Sequence, residues 1–382
     1  MSFSRADRSS FSDWWWTVDR LALVAMLGLI GIGLMLAFAA SPAASGGPFT
    51  EGNFHYAARQ VAFAAIAACI LGGASLLSPA QVKLVATATF VLALLGSALV
   101  LFAGTEVQGS RRWLELGWIT LQPSEFLKPG FAVLTAAILA GRARRFSRPL
   151  ATLLPLVPAV VILLLQPDVG QTFLLLALWA MLLFFAGVSY KWICTIGGGA
   201  SALGVGAYFL FPHVHHRLAQ FLNPDQTGYQ AGLALEAFAH GGLFGVGPGA
   251  GTVKYRLPDA HSDFIFAVAG EEFGLVLCAL IVLLFCILTI RLLLRSASAR
   301  EPFAQLAGAG LASVAALQAF INMGVAVSLL PAKGMTLPFI SYGGSSLFAV
   351  ALTMGFALAL TRQRPLLAQR DAPLFGLSGR AA

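Results

Sequence analysis

LALVAMLGLIGIGLMLAFAA, residues 21–40, holds no charged side chain anywhere along its length. A helix rises about 1.5 Å per residue, so the run is about 30 Å long, the thickness of a bilayer's hydrocarbon core. Its end, AFAAS at 37–41, resembles a signal-peptide cleavage site. The apolar stretch is, however, about twice the usual 7–15-residue signal core. It therefore reads as a retained first span, with Trp14, Trp15 and Trp16 as an interfacial anchor.

Runs of this kind recur along the chain. Of 382 residues, 58% are hydrophobic and only 10% are charged, whereas soluble domains carry about 25% charged residues. The apolar excess is divided into separate runs of about 20 residues, so one oversized core does not account for it. The fold class expected is an all-α polytopic membrane protein of about ten transmembrane helices. They fall near 18–40, 56–77, 84–103, 123–140, 149–165, 169–187, 191–211, 263–290, 303–330 and 341–361. A large outer loop, about 212–262, separates spans seven and eight. Tails 1–17 and 365–382 flank a transmembrane domain at 18–364.

Charge sets the orientation. With the N-terminus inside, 16 of the 24 Lys and Arg fall in cytoplasmic segments, and GRARRFSR (141–148) and RLLLRSASAR (291–300) pin two short loops there. An even number of spans returns the C-terminus to the cytoplasm, where Arg362 and Arg364 agree. The net charge of +8 is thereby a topology signal and needs no nucleic acid to explain it. The acids sort the other way: 11 of 16 lie outside or near the outer ends of spans, as do all six histidines. That points to a polar site facing away from the cytoplasm. Cys69, Cys194, Cys278 and Cys286 sit in apolar runs without metal-type spacing and read as small core residues. HVHH at 213–216 lacks a further ligand at zinc spacing.

The candidate site residues cluster in and around the outer loop. TGYQAGLALEAFAHGG (227–242) predicts a surface helix, with Tyr229 and Gln230 at its start and Gly241–Gly242 ending it. GVGPGAG (245–251) superficially resembles a phosphate cradle, but no strand precedes it, so its glycines are expected to permit tight turns or close approach. Asp263 opens span eight; the bland reading is an N-cap, the functional one an acid among Lys254, Arg256 and His261. Glu271 and Glu272 lie deeper, where a carboxylate is costly unless it faces a wet cavity or a cation. Glu125 and Lys128 in QPSEFLKP can neutralise one another at i,i+3. Arg111 and Arg112 in GSRRW suit a phosphate or pyrophosphate, or else snorkel to lipid head groups. Asp168 in QPDVGQT reads as a helix cap. PAKGMTLPFISYGGSS (331–346), with Lys333, Ser341 and Ser345, is too rich in breakers and hydroxyls to face lipid and is expected to line a cavity.

Taken together, GSRRW, QPSEFLK, QPDVGQT, TGYQ, GVGPGAG, LPDAHSDFIFAVAGEE and KGMTLPFISYGGSS resemble the SEDS family of peptidoglycan polymerases, the FtsW and RodA type, over about residues 17–364. KGMTLPFISYGGSS is more similar to the division type, FtsW, than to the elongation type, RodA. Small departures are Asp259, Ser262, Pro248 and Gln171 at positions where the family commonly has other residues.

The resemblance implies an inverting glycosyltransferase that polymerises lipid II into glycan strands on the outer face of the cytoplasmic membrane, at the division septum. Asp263 would be the general base. Arg111, Arg112, Lys128, Lys254 and Lys333 would offer positive charge to the pyrophosphate, with a divalent cation (Mg or Mn) at a site the sequence leaves open. Glu125, Tyr229, Gln230, His261, Glu271, Ser341 and Ser345 complete the expected substrate-binding set. The implied partners are undecaprenyl-pyrophosphate-linked glycan, a class B penicillin-binding protein of the FtsI transpeptidase type, and other divisome proteins. A lipid II flippase, the elongation polymerase and a non-catalytic division scaffold are the alternatives.

Overall fold

The computed structural model describes residues 10–44, 54–107, 110–117, 119–141, 147–189, 229–331 and 334–363, together with 191, 195, 198–199, 202, 206 and 208–209. A short helix, α1 (Ser10–Thr17), leads into α2 (Arg20–Ala44), α3 (His55–Leu76) and α4 (Pro79–Ala103). Three strands follow, β1 (Thr105–Val107), β2 (Ser110–Leu116) and β3 (Ile119–Leu121), and then α5 (Pro123–Ala140), α6 (Ser147–Ala151), α7 (Leu153–Leu165) and α8 (Val169–Phe185). The second half holds α9 (Tyr229–Gly241), α10 (Ile265–Ala297), α11 (Pro302–Ala326) and α12 (Gly344–Thr361).

Among the described residues, seven helical stretches are long and apolar enough to cross a membrane, and α8 is a shorter apolar helix. With α5, whose first turns carry Glu125 and Lys128, nine of the expected spans are helices at the expected places. The span expected at 191–211 falls mostly outside the described residues. The protein is a multi-pass membrane protein.

Helix boundaries follow local chemistry. Ser78 and Gln81 form a reciprocal capping box before α4, with Pro79 at the first helical position, where a missing N–H is harmless. The faces are sorted inside out. Along α4, Leu92, Leu95, Leu99 and Phe102 are exposed on one side, while Val82, Ala86, Phe90 and Ala93 are buried on the other. Two heavily buried helices, α11 and α12, are rich in Ala and Gly, and α12 packs chiefly on α3. Small residues let helix backbones approach closely where hydrocarbon supplies little drive for association.

Two features differ from an all-α reading. The connection between α4 and α5 is a three-stranded antiparallel meander, with Glu106 opposite Arg111 and Glu115 opposite Thr120. Its residues alternate in a two-residue period, which a search for long apolar runs passes over. Cys69 and Cys286 are also exposed on the helix bundle, and only Cys278 of the described cysteines is buried.

The element that positions the site is α10. It is broken at Gly274, whose φ of 75° and ψ of −173° are not helical. A Cβ there would lie 2.3 Å from the Leu243 carbonyl oxygen, so only glycine fits. The chain after α9 runs alongside and takes up the freed backbone groups. Val246 N–H donates to Glu271 O (3.0 Å) and Gly247 N–H to Glu272 O (3.0 Å), while Leu275 N–H donates to Gly242 O (3.0 Å). Irregular backbone at membrane depth is tolerated because it is satisfied within the protein. The glycine loop thus exists for chain-to-chain approach: a Cβ at Gly245 would meet Glu272 O at 2.2 Å.

Candidate active site

Just before α10, residues 259–263 meet α3 through His261 and Tyr56, α11 through Asn322, and the chain from 334 to 343, with Arg112 of β2 close enough to act on Asp263. Asp263 stands two residues before α10, and the cap position belongs to Phe264, which makes no side-chain cap bond. The bland N-cap reading of Asp263 is therefore not realised. Among the described residues its carboxylate accepts no hydrogen bond, although the residue is largely enclosed. Burial pushes its pKa up to about 7; the nearby Asp259 carboxylate adds to the rise and Arg112 opposes it. Asp259 itself holds a left-handed backbone, φ 52°, and its carbonyl accepts the N–H groups of Ser262, Asp263 and Phe264. That turn fixes where the acid points.

The backbone around Asp263 is held on both sides. Asn322 Nδ2 on α11 donates to Asp263 O (2.8 Å) and to Met335 O (2.5 Å). Ser341 Oγ donates to Ser262 O (2.5 Å) and accepts from Leu337 N–H (2.7 Å). Gly334 faces the carboxylate so closely that a Cβ would sit 2.7 Å from Oδ2. His261 lies between the rings of Tyr56 (5.1 Å) and Tyr342 (5.4 Å). Burial lowers its pKa and so favours the neutral imidazole, against an opposing pull from Asp259. Burial raises the Tyr342 hydroxyl, partly offset by its hydrogen bond with Arg59.

Successive residues of β2 point to opposite faces, which separates the two arginines. Arg111 is exposed, and Arg112 is half-buried. Arg112 reaches the α7–α8 turn, donating to Pro167 O (2.8 Å) and Gln166 O (3.4 Å), with Asp168 at 3.9 Å. Asp168 caps α8 through Gln171 N–H; burial raises its pKa while Arg112 pulls it back.

Behind this surface runs a closed polar chain. Gln171 Nε2 donates to Glu125, Lys128 Nζ bonds Glu125 Oε2 (2.7 Å) and Gln318 Oε1 (2.9 Å), and Gln318 Nε2 donates to Thr336 (3.0 Å to O, 3.1 Å to Oγ1). Thr336 Oγ1 lies 2.5 Å from Ser346 Oγ. Glu125 and Lys128 are each 3% exposed, and the Lys128–Gln318 hydrogen bond ties this α5 ion pair to α11.

Several residues expected at the substrate hold the wall together instead. Lys254 was expected to offer charge to a pyrophosphate; it is 1% exposed, paired with Glu272 and bonded to Ala39 O (2.8 Å). Glu271 was expected in the substrate-binding set. It is fully buried and accepts the N–H groups of Thr252 (2.7 Å), Val253 (2.7 Å) and Lys254 (3.0 Å), with His240 Nδ1 at 3.0 Å. The physical reason is desolvation: two adjacent buried carboxylates need full partners, and the folded loop supplies them. Ser345 Oγ ties β3 to α12, donating to Thr120 O (2.8 Å) and accepting from Gln122 N–H (3.0 Å). Tyr229 is exposed and Gln230 half-buried on the first turn of α9. Lys333 lies outside the described residues.

Sequence reasoning passed over Gln318 and Asn322, which stand four apart on one face of α11 and touch the site from below. Two amides at helical spacing in an apolar run were the available signal. Among the described residues no three His, Cys, Asp or Glu side chains group as a metal cage. Asp259, whose charge acts on Asp263, offers one carboxylate to a hard dication, which would take its remaining ligands from water and phosphate.

A family model for cell cycle proteins, the FtsW/RodA/SpoVE family, matches residues 20–365. A protein of Caulobacter vibrioides named "Probable peptidoglycan glycosyltransferase FtsW" is 43% identical over 369 residues, covering 95% of this chain and 94% of its own. One of the same name from Alkalilimnicola ehrlichii is 37% identical, covering 96% and 94%. A solved chain from a peptidoglycan synthase complex that coordinates polymerization and crosslinking superposes with a TM-score of 0.75 at 26% identity, over 90% of this chain and 97% of that one. The rod shape determining protein RodA of Thermus thermophilus does so with a TM-score of 0.67, also at 26% identity, over 92% and 99%.

Proposed function

The chain belongs to the FtsW/RodA/SpoVE family, and from that premise we propose how it works as an FtsW-type peptidoglycan glycosyltransferase. The substrate is lipid II, polymerised at the outer face of the cytoplasmic membrane during division. The sugar 4-hydroxyl of an incoming lipid II attacks the anomeric carbon of a strand carried on undecaprenyl pyrophosphate. The new glycosidic bond forms as the bond to pyrophosphate breaks, with inversion, and the hydroxyl proton passes to Asp263. A single base and no covalent enzyme intermediate are needed.

The observation that carries this reading is Asp263 itself. A general base works best with a pKa near the working pH, and this carboxylate is raised to about 7 and left without a hydrogen-bond donor among the described residues. His261 and Tyr342 shape the approach from α3, and Arg112, half-exposed beside the site, meets the leaving pyrophosphate. Asp259, beside the base, would hold the proposed divalent cation, Mg2+ or Mn2+, together with phosphate oxygens, which leaves Asp263 free to accept the proton. Bound there, the ion supplies charge neutralisation to the pyrophosphate.

The proposed partner is a class B penicillin-binding protein of the FtsI type at the septum, with other divisome proteins regulating the pair. The test is polymerisation of lipid II by the purified chain together with that transpeptidase. Wild type is expected to make glycan strands, and Asp263→Asn to bind the partner equally while making almost none. Equal strand synthesis by both places the base elsewhere.

A further inference from the structure

A cavity of about 360 Å³ opens at the end of the bundle opposite Asp263, where α10 and α12 end and α11 begins. Its lining includes Arg295, Arg300 and Arg362 against one carboxylate, Glu301, over a floor containing Ala304 and Leu360. The three guanidiniums are not equally occupied. Arg362 is spent on Thr17 Oγ1 (2.9 Å) and the carbonyls of Ser75 and Leu76 (3.4 Å each). Arg295 uses only Nε, on Asp19 Oδ2 (2.6 Å), and Arg291 Nε competes for the same oxygen (2.8 Å). The terminal nitrogens of Arg295 therefore have no acceptor among the described residues. Arg300 has no ion pair or hydrogen bond at all among them.

Arg300 is also in an electrostatically poor place for an unaccompanied cation. The carbonyl ends of α10 and α12 attract Arg295 and Arg362. Arg300, by contrast, lies two residues before the positive N-terminal end of α11. Glu301, the cap residue there, makes no side-chain cap bond, so the first amides of α11 remain available as donors. A cavity with spare guanidinium donors and a helix start that lacks its cap is complete once an anion enters.

We propose that this cavity binds the phosphodiester head group of an anionic phospholipid from the leaflet at this end of the bundle. A phosphate group matches the guanidinium fork. Its source is lipid because the cavity sits where helices leave the hydrocarbon. Directly beside it, α10 exposes Ile290 (57%) and Leu294 (60%), a surface for acyl chains. Arginine pockets between transmembrane helices at such an interface are a recurrent way to hold lipid head groups.

The test uses the full chain, purified and titrated with dioctanoyl phosphatidylglycerol, dioctanoyl phosphatidylcholine or inorganic phosphate, with bound lipid counted by native mass spectrometry. One phosphatidylglycerol is expected to be held more tightly than phosphatidylcholine. Arg300→Glu should weaken it by about tenfold or more, the scale of one charged hydrogen-bonded contact. Lys191→Glu, a charge reversal elsewhere on the chain, should leave it unchanged. An unchanged melting temperature in phosphatidylcholine shows that the Glu variant is folded; if it is not, Arg300→Gln carries the same comparison. Equal phosphatidylglycerol binding by wild type and the Arg300 variant, or equal binding of the two lipids, overturns the site. Displacement by millimolar inorganic phosphate overturns the lipid as its occupant.

Discussion

Asp263 joins reactivity to instability in one side chain. Its folded pKa of about 7 exceeds the ordinary value of 3.8, so the fold favours the protonated form. The stability this group contributes is complete below about pH 4 and is lost as pH rises through 7. The base is active only when ionised, so polymerisation should rise with pH along an acid limb centred near 7, measured as initial rate on lipid II. Asp263→Asn should lose about 10²–10⁴-fold in rate, yet melt at a higher temperature than wild type at pH 8, because no buried charge forms. A variant that loses activity together with stability at pH 8 would make Asp263 a structural residue. Arg112 tests the same electrostatics from the other side. It opposes the rise at Asp263, so Arg112→Ala should move the acid limb to higher pH, whereas Arg112→Lys keeps the charge and should move it less. Identical pH profiles for the three proteins would detach Arg112 from the acid.

At the scale of elements, the broken helix α10 is held by the chain that runs past it. Gly274→Ala forces a Cβ into the Leu243 carbonyl at a positive φ, and should cost at least about 1–3 kcal/mol. The readout is a lowered melting temperature together with new proteolytic cleavage between 243 and 252. Cleavage unchanged from wild type would show that the loop does not depend on the break. The pair Lys254–Glu272, with both side chains fully buried, should behave as buried ions do. Removing either partner alone should cost about 3–5 kcal/mol, and replacing both with apolar residues of similar volume should cost clearly less. Additive losses in the double variant would argue that each residue has separate work elsewhere.

For the whole molecule, the proposed orientation puts the Asp263 end outside and the arginine-rich end in the cytoplasm. In a background without native cysteines, Tyr229→Cys should react with an impermeant reagent added outside intact cells, and Lys83→Cys only after lysis. Both positions are exposed, so access to the reagent is decided by the membrane. Labelling of both from one side would invert or abolish the proposed topology.

What the chain determined by itself is what one dimension can carry. A run such as 21–40 must cross a bilayer because no other environment accepts its length and apolarity. Asp263 stood out because an acid at the edge of such a run is conspicuous, and the small surface helix at 229–241 was legible from its periodicity. Tertiary structure decided which polar residues face open space. Lys254, Glu271 and Glu272 all draw notice in a linear reading, the first two as site residues, since a charge at membrane depth needs a reason. Their reason is each other and the backbone of a loop 17 to 23 residues away, brought alongside by the break at Gly274. The surroundings of Asp263 were equally invisible: that Phe264 takes the cap position, and that burial and Asp259 raise the carboxyl, are consequences of packing. Sequence places charges along a line, and desolvation, which decides what each charge must do, exists only once that line is folded.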